Sequence, residues 1–148
     1  GEPQGAVDFL PTSGTLLSLD AWRDVGPFRS DYFIGGIDVE WCYRAWAKGW
    51  ACAVADDITM EHRWGEDDRG DKVGSQFLRQ SPDRLYYYLR NAADGLRLSH
   101  MPVRWKRRQL TRMTAQATLA ALMRRDFPLT EALRAVRDGW RGKLGPLS

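Results

Sequence analysis

The clearest helix signal in the N-terminal half of the chain lies within residues 31–49, which read DYFIGGIDVEWCYRAWAKG. Apolar residues recur here at the three- and four-residue spacing of an amphipathic helix, and Gly49 follows as a C-terminal stop. The pattern predicts a helix over 38–48. Gly35 and Gly36 precede this helix and predict a loop whose backbone adopts conformations that other residues avoid.

Short strands are predicted on both sides of this helix, over residues 6–10, 50–55 and 58–62, because apolar and polar residues alternate there. A short helix over 21–25, with Asp20 as its N-cap, lies between the first strand and the glycine loop. The N-terminal part is therefore predicted to mix short strands with helices.

In the remainder of the chain, apolar residues recur at helical spacing, which predicts α-helices. Ser81 and Pro82 have the residue types of an N-cap and a first helical position, and two further helices are predicted beyond Pro102, the last over 130–140. The fold class is thus predicted as α/β, more narrowly an α+β arrangement with short strands followed by C-terminal α-helices. The boundary is placed between residues 1–80 and 81–148.

Composition favours one packed domain or part of one. The chain has 148 residues, 43% of them hydrophobic and 28% charged, which excludes a multidomain enzyme and a disordered chain. The longest uncharged C-terminal stretch, 113–123, is too short to cross a bilayer. Cys42 and Cys52 are not spaced like a pair of metal ligands, and two cysteines are too few for a disulfide-rich secreted domain. We therefore expect two reduced, buried thiols in a cytosolic protein. Because the chain begins at Gly1 without an initiator Met or a leader, we expect a fragment.

Charge is divided unevenly along the chain. Residues 1–96 carry a net charge of −6 and residues 97–148 carry +9, and no acidic residue occurs over 95–125. The cationic region is consistent with a helix on anionic lipid or with a plain solvated face. Nucleic acid is disfavoured, because no recognised reading motif is present.

Two carboxylates near the start of the 38–48 helix are candidates for chemistry. Asp38 is placed as a general base or as a simple N-cap, and position alone favours the cap. Glu40 lies about 200° further around the helix, so the two cannot share one face.

His62 is the second candidate, at the end of a predicted strand. A lone His is more often a hydrogen-bonded structural residue than a metal ligand. The acidic pairs 56–57 and 67–68 are predicted to be solvated turns rather than hard-metal sites.

These pieces occur in an order that resembles the C-terminal half of family 2 inverting glycosyltransferases, most of all bacterial rhamnosyltransferase-type enzymes. The motifs that carry the resemblance are Thr12-Ser13-Gly14, Val25-Gly26-Pro27-Phe28, Ile37-Asp38-Val39-Glu40-Trp41-Cys42, Met60-Glu61-His62-Arg63-Trp64-Gly65, Tyr86-Tyr87-Tyr88 and Arg90-Asn91. The resemblance covers most of the chain.

The resemblance implies a GT-A fold, of which this chain would be the acceptor-side half. The nucleotide-binding half, with its Asp-x-Asp motif, has no counterpart in these residues. It also implies roles for particular side chains: Asp38 as catalytic base with Glu40 as second candidate, and His62 as a ligand of Mn²⁺ or Mg²⁺. Substrate contacts are implied for Thr12, Ser13, Gly14, Gly35, Gly36, Trp41 and Trp64, the two tryptophans being either packing residues or sugar platforms.

The implied function is that of a fragment of a metal-dependent inverting transferase. The full enzyme would move a sugar, for which the family likeness suggests rhamnose, from a nucleotide-sugar to a glycan or lipid-linked acceptor in cell-surface polysaccharide synthesis. It would work in the cytoplasm at the inner face of the membrane, touching anionic lipid through residues 97–125, and the fragment alone would be inactive. The alternative is a non-catalytic basic helical module that binds membrane, nucleic acid or a partner protein. The oligomeric state is left open.

Overall fold

A computed structural model of the protein describes residues 4–61 and 80–147. Within these residues the chain forms five α-helices: α1 Leu19–Val25, α2 Ile37–Ala47, α3 Pro82–Gly95, α4 Val103–Met123 and α5 Leu129–Trp140. A short 3-10 helix, Ser30–Tyr32, lies between α1 and α2. None of the helices in this described part is long and apolar enough to span a bilayer.

The helix ends follow local capping chemistry, with one correction to the sequence prediction. α1 begins after Ser18, whose hydroxyl oxygen accepts a hydrogen bond from the Ala21 amide at 3.4 Å. The predicted N-cap, Asp20, is wrong: it lies inside the first turn and pairs with Arg23. The predicted cap of α3 is confirmed, since the Ser81 hydroxyl accepts from the amide of the residue three positions on.

The predicted strands are wrong for the described residues. Residues 6–10, 50–55 and 58–61 contain no strand, and the β pairing described among them is one isolated bridge between Ala6 and Ala53. Two backbone hydrogen bonds flank it, from Val7 N to Cys52 O at 2.9 Å and from Val54 N to Gly5 O at 3.0 Å. A two-stranded pair with no third strand is marginal in water. The predicted C-terminal α-helices are present, so the fold prediction holds in its helical part.

The N-terminal helices pack on a small core of their own. Its buried members are Ala21, Val25, Trp41, Cys42, Ala45 and Cys52. The Trp41 ring lies 5.3 Å from the Phe28 ring, centroid to centroid, and its indole N–H donates to Gly26 O at 2.8 Å. Both cysteines are free and buried, as expected. Burial, with the neighbouring Cys42, raises the pKa of Cys52 to about 12, so this thiol stays protonated.

The C-terminal helices form a second core, in which α3 and α5 pack most closely. Its buried members are Leu85, Tyr86, Tyr87, Leu89, Ala92, Ala93, Met113, Ala120, Phe127, Ala132 and Ala135. The close approach depends on Gly139 of α5, where a Cβ atom would lie 2.0 Å from the carbonyl oxygen of Arg90. No side chain fits at this position unless the helices separate.

We expect Gly139→Ala to lower the free energy of unfolding by about 2 kcal/mol or more, because the added methyl group collides with the α3 backbone. Helix propensity alone predicts the opposite sign, a gain of roughly 1 kcal/mol. Urea unfolding followed by circular dichroism measures the difference, with Thr130→Ala, an exposed change in α5, as control. A stabilised Gly139→Ala variant would show that the helices are not in contact here.

Candidate functional site

Two buried side chains of α3 hold the loop that precedes α2, and we call this pair, Arg90 and Asn91, the α3 clamp. The amide nitrogen of Asn91 donates to the carbonyl oxygens of Tyr32 at 3.0 Å, Ile34 at 3.0 Å and Gly35 at 2.8 Å. Its amide oxygen accepts from the Arg90 guanidinium at 2.9 and 3.0 Å. One short side chain therefore fixes the path of the loop backbone over four residues.

Arg90 extends this network to the C-terminal segment. Its guanidinium donates to the carbonyl oxygens of Asp31, Tyr32 and Gly145. The Gly145 amide in turn donates to Asp31 O at 2.7 Å. The Arg90 side chain is 2% exposed and lies over the Tyr87 ring, 4.8 Å from its centroid. Its charge is thus satisfied by backbone carbonyls and an aromatic face.

The loop held by the clamp has an unusual backbone. Phe33 has a φ of 60°, Gly35 of 83° and Gly36 of 76°, all in the region that favours glycine. No atom lies within 4 Å of where a Cβ would sit on either glycine, so the glycines serve the backbone conformation and not close packing. The predicted backbone behaviour of Gly35 and Gly36 is confirmed, and both are exposed.

Asp38 is the second residue of α2 and is half-buried. Its Oδ1 accepts from the Val39 amide at 2.9 Å. The N-cap position belongs to Gly36, so the interpretation of Asp38 as a simple N-cap is wrong. Within residues 4–61 and 80–147 the Asp38 carboxylate has no ion pair, which leaves it able to accept a hydrogen bond from a ligand.

Glu40 is held very differently. It is 2% exposed, and both of its oxygens accept from the Arg44 guanidinium at 3.0 Å in a bidentate pair. Arg44 also donates to Val25 O at 2.8 Å and Pro27 O at 2.9 Å, which ties α2 to the end of α1. The two carboxylates lie on different sides of the helix, as their spacing predicts: Glu40 lines the cleft described below, and Asp38 is not among its lining residues.

His100, in the connection between α3 and α4, is the histidine that sequence reasoning missed. Its Nε2 lies 3.0 Å from Glu40 Oε1 but without the alignment of a hydrogen bond, and this nitrogen has no hydrogen-bond partner in the described part. Burial lowers the pKa of His100 against the opposing effect of Glu40, so the ring is neutral at pH 7. Nothing in its sequence neighbourhood pointed to a carboxylate 60 positions earlier.

A cleft of about 300 Å³ opens between the glycine loop, α2, α3 and α4. Its polar groups include Glu40, Asn91 and Gln109, and its cations are Arg108 and Arg112, both exposed. Its aromatic residues are Phe9, Tyr32, Tyr43, Tyr88 and Trp105. A pocket with aromatic faces and a few polar groups suits a ligand that has both apolar faces and hydroxyl groups.

The other predicted site residues lie apart from this cleft. Thr12, Ser13 and Gly14 form an exposed turn, and a Cβ on Gly14 would lie 2.9 Å from Met60 Cε, so this turn contacts the segment that leads toward residue 62. Trp41 is 3% exposed inside the N-terminal core, which is the position of a packing residue. Two further predictions, His62 and Trp64, lie outside the described residues.

Among residues 4–61 and 80–147, no three side chains of His, Cys, Asp or Glu come together as metal ligands. The expected ligand, His62, is not among these residues.

Comparison with known proteins defines the class. The chain is similar to a glycosyltransferase over most of its length, which confirms the resemblance to rhamnosyltransferase-type enzymes carried by the motifs. The relative is the dTDP-rhamnosyl transferase RfbF of Shigella flexneri, with 31% identity over 137 residues, 90% of this chain. The chain spans about half of that relative, 46% of its length. No protein-family model and no solved structure gives a significant match.

The hydrogen bonds that Asn91 of the α3 clamp donates to the loop should contribute to the stability of the fold. We expect Asn91→Ala to lower the free energy of unfolding by about 2–3 kcal/mol, because three carbonyl oxygens lose a donor in a buried setting. Denaturant unfolding measures this, with Thr118→Ala on the exposed side of α4 as control. Equal stability of the two variants would mean that water satisfies these carbonyls and that the clamp does not hold the loop.

The lowered pKa of His100 predicts how the stability of the chain depends on pH. Its folded-state pKa lies below the unfolded value of about 6.5, so the unfolded chain binds a proton first as the pH falls through that value. We expect the melting temperature to fall between pH 7.5 and pH 5.5, above the range in which the paired aspartates titrate. His100→Gln should flatten this slope while leaving in place the loss of stability at lower pH, where the paired aspartates, whose pKa values are lowered in the folded chain, become protonated. An unchanged slope in the variant would assign it to another group.

Proposed function

We propose that the chain forms the acceptor-side part of an inverting glycosyltransferase of GT-A type. The enzyme that contains it would move rhamnose from dTDP-rhamnose to a glycan or lipid-linked acceptor in cell-surface polysaccharide synthesis. The observation that supports this is the 31% identity to a dTDP-rhamnosyl transferase across 90% of the chain. Because the chain spans 46% of that relative and contains no Asp-x-Asp motif, we expect no transfer from the 148 residues alone.

Asp38 is the better of the two candidate bases. It lies at the N-terminus of α2, where the free amides favour a negative charge, and it has no ion pair in the described part of the chain. Glu40 is committed to Arg44 through both oxygens. A base must reach the proton that it removes, and only the uncommitted carboxylate can do so without breaking a buried ion pair.

The proposed step is a single displacement. The acceptor hydroxyl oxygen attacks the anomeric carbon of the donor sugar while its proton passes to Asp38. A new carbon–oxygen bond forms as the bond between the anomeric carbon and the diphosphate oxygen breaks, and its electron pair leaves with the nucleoside diphosphate. Attack from the face opposite the leaving group inverts the anomeric configuration.

The cleft is proposed as the acceptor site. Its aromatic faces at Tyr43, Tyr88 and Trp105 would receive the C–H faces of a sugar, and Gln109 would meet a hydroxyl group. The exposed backbone of Gly35 and Gly36 forms one wall without side chains, which allows a sugar to approach the start of α2. Asp38 does not itself line the cleft, so we propose that the acceptor extends past the glycine wall to the first turn of α2, which carries Asp38.

A divalent ion, Mn²⁺ or Mg²⁺, completes the proposal. When bound, it would neutralise charge on the departing diphosphate. His62 is the ligand proposed from this chain, and the Thr12 to Gly14 turn, which contacts Met60, is proposed to line the same region.

We also propose that the enzyme acts at the inner face of the cell membrane and touches anionic lipid through residues 97–125. In this segment Arg104 pairs with Asp8 and Arg124 with Asp126. Arg107, Arg108 and Arg125 are exposed and have no acidic partner among the described residues. Unpaired cations next to a surface of anionic lipid are each worth about 1 kcal/mol of attraction.

The test is rhamnosyl transfer by the enzyme that contains the chain, measured as dTDP release from dTDP-rhamnose in the presence of a membrane extract as acceptor source. We expect Asp38→Asn to lower the rate by at least about a hundredfold, since the base is lost. His62→Ala should weaken the dependence on added Mn²⁺ or Mg²⁺. Both variants should fold and sediment with membranes as the unmodified enzyme does.

The matched control is Asp83→Asn, because Asp83 occupies the second helical position of α3 as Asp38 does in α2, and it is exposed. Asp38→Asn with the activity of this control would remove Asp38 from the mechanism. Absence of transfer by the unmodified enzyme, with membrane binding retained, would instead favour the basic helical binding module.

A further inference from the structure

The last helix, α5, has one side buried and a second side that is apolar and exposed. Its buried side packs on α3 through Ala132, Ala135 and Gly139. Leu129 is 51% exposed, Leu133 60% and Trp140 58%. At 3.6 residues per turn these three side chains lie within about 40° of one another around the helix. They form a stripe, and we call it the α5 stripe.

Cations lie next to the α5 stripe. Arg137 and Arg141 are exposed and follow the stripe on the side away from the buried face; Arg141 has no acidic partner among the described residues, whereas Arg137 also lies 3.5 Å from Asp138 Oδ1. The three acids of residues 97–148 are already paired: Asp126 with Arg124, Glu131 with Arg134, and buried Asp138 within 4.0 Å of cations on α5 and at Lys143. The surface beside the stripe therefore carries positive charge, and no acid of this region faces it unpaired.

We propose that α5 docks on an anionic lipid surface. Leu129, Leu133 and Trp140 enter the boundary between headgroups and acyl chains, and Arg137 and Arg141 contact lipid phosphates. Charge complementarity selects this occupant, because a second copy of the chain would bring the same cations together. A Trp at the end of the stripe matches the residue type that membrane interfaces favour. The inference extends the proposed membrane contact from residues 97–125 to α5 and does not depend on transfer activity.

Co-sedimentation of the 148-residue chain with phosphatidylcholine vesicles, with and without one quarter phosphatidylglycerol, tests the proposal. We expect binding to the anionic vesicles only, weakening as salt is raised. The combined change Leu129→Gln, Leu133→Gln, Trp140→Gln should lower the partition coefficient by about tenfold or more. Arg137→Gln with Arg141→Gln should lower it by roughly fivefold per cation.

The matched control replaces two apolar residues that are exposed elsewhere, Leu16→Gln with Ile58→Gln, at 97% and 74% exposure. It should bind vesicles like the unmodified chain. All these positions are exposed, so circular dichroism and melting temperature should stay unchanged and separate loss of binding from loss of folding.

A label on the stripe gives a second measurement. Leu133→Cys carries the label selectively, because Cys42 and Cys52 are 5% and 6% exposed. An environment-sensitive fluorophore there should shift to the blue on addition of anionic vesicles, and the same label at Leu16→Cys should not.

Three results would overturn the proposal. The first is no binding to anionic vesicles. The second is binding that is lost in Arg107→Gln with Arg108→Gln but unaffected by the α5 changes, which would leave membrane contact to residues 97–125 alone. The third is self-association that the stripe variant abolishes, without lipid binding. Loss of transfer in Asp38→Asn is measured separately, so failure of the enzyme proposal does not affect these outcomes.

Discussion

Hydrogen bonds from the α3 clamp to backbone carbonyls tie the C-terminal helices to the loop that precedes α2, alongside ring contacts such as Phe33 with Tyr87. Arg90 and Asn91 donate to four loop carbonyls, those of Asp31, Tyr32, Ile34 and Gly35. Asp94, one turn further along α3, accepts from Arg29 at 2.7 Å and from the Tyr32 hydroxyl at 2.9 Å. Burial, together with Asp94, raises the pKa of Tyr32, so its hydroxyl stays protonated and keeps donating. Hydrogen bonds are directional, so this interface fixes an orientation that apolar packing alone would allow to slide.

The position of the candidate base depends on this interface. Gly35, whose carbonyl receives the shortest Asn91 bond, lies three residues before Asp38, and Gly36 between them caps α2. Any movement of the loop therefore moves the start of the helix. The hydrogen bonds of the clamp also matter for stability, because each buried acceptor left without a donor costs about 1–3 kcal/mol. The total free energy of unfolding of a domain is only roughly 5–15 kcal/mol.

Local signals in the sequence predicted local structure. Helical spacing and the Ser81-Pro82 start located α3, and a rotation of 100° per residue separated Asp38 from Glu40. The strand predictions were wrong because alternating apolar and polar residues define the two faces of a strand but do not provide a neighbouring strand to pair with. The described residues contain a single β-bridge. The clamp was beyond prediction: a buried Asn91 that bonds to a carbonyl 59 positions earlier looks, in a helical pattern, like any other polar residue.

The net charge of the chain does not show which charged side chains are paired inside the fold and which are exposed. Buried charges are paired or bonded inside the fold: Glu40 to Arg44, Asp94 to Arg29, Asp138 to cations around α5. A charge that is used in this way is cancelled within the molecule and creates little field outside it. Some cations of residues 97–148 are paired with acids of residues 1–96, Arg97 with Asp94 and Arg104 with Asp8, whereas the exposed Arg107 and Arg108 have no acidic partner among the described residues. Exposed cations contribute little to folding, and the proposed contact with anionic lipid would give those on α4 and α5 a function.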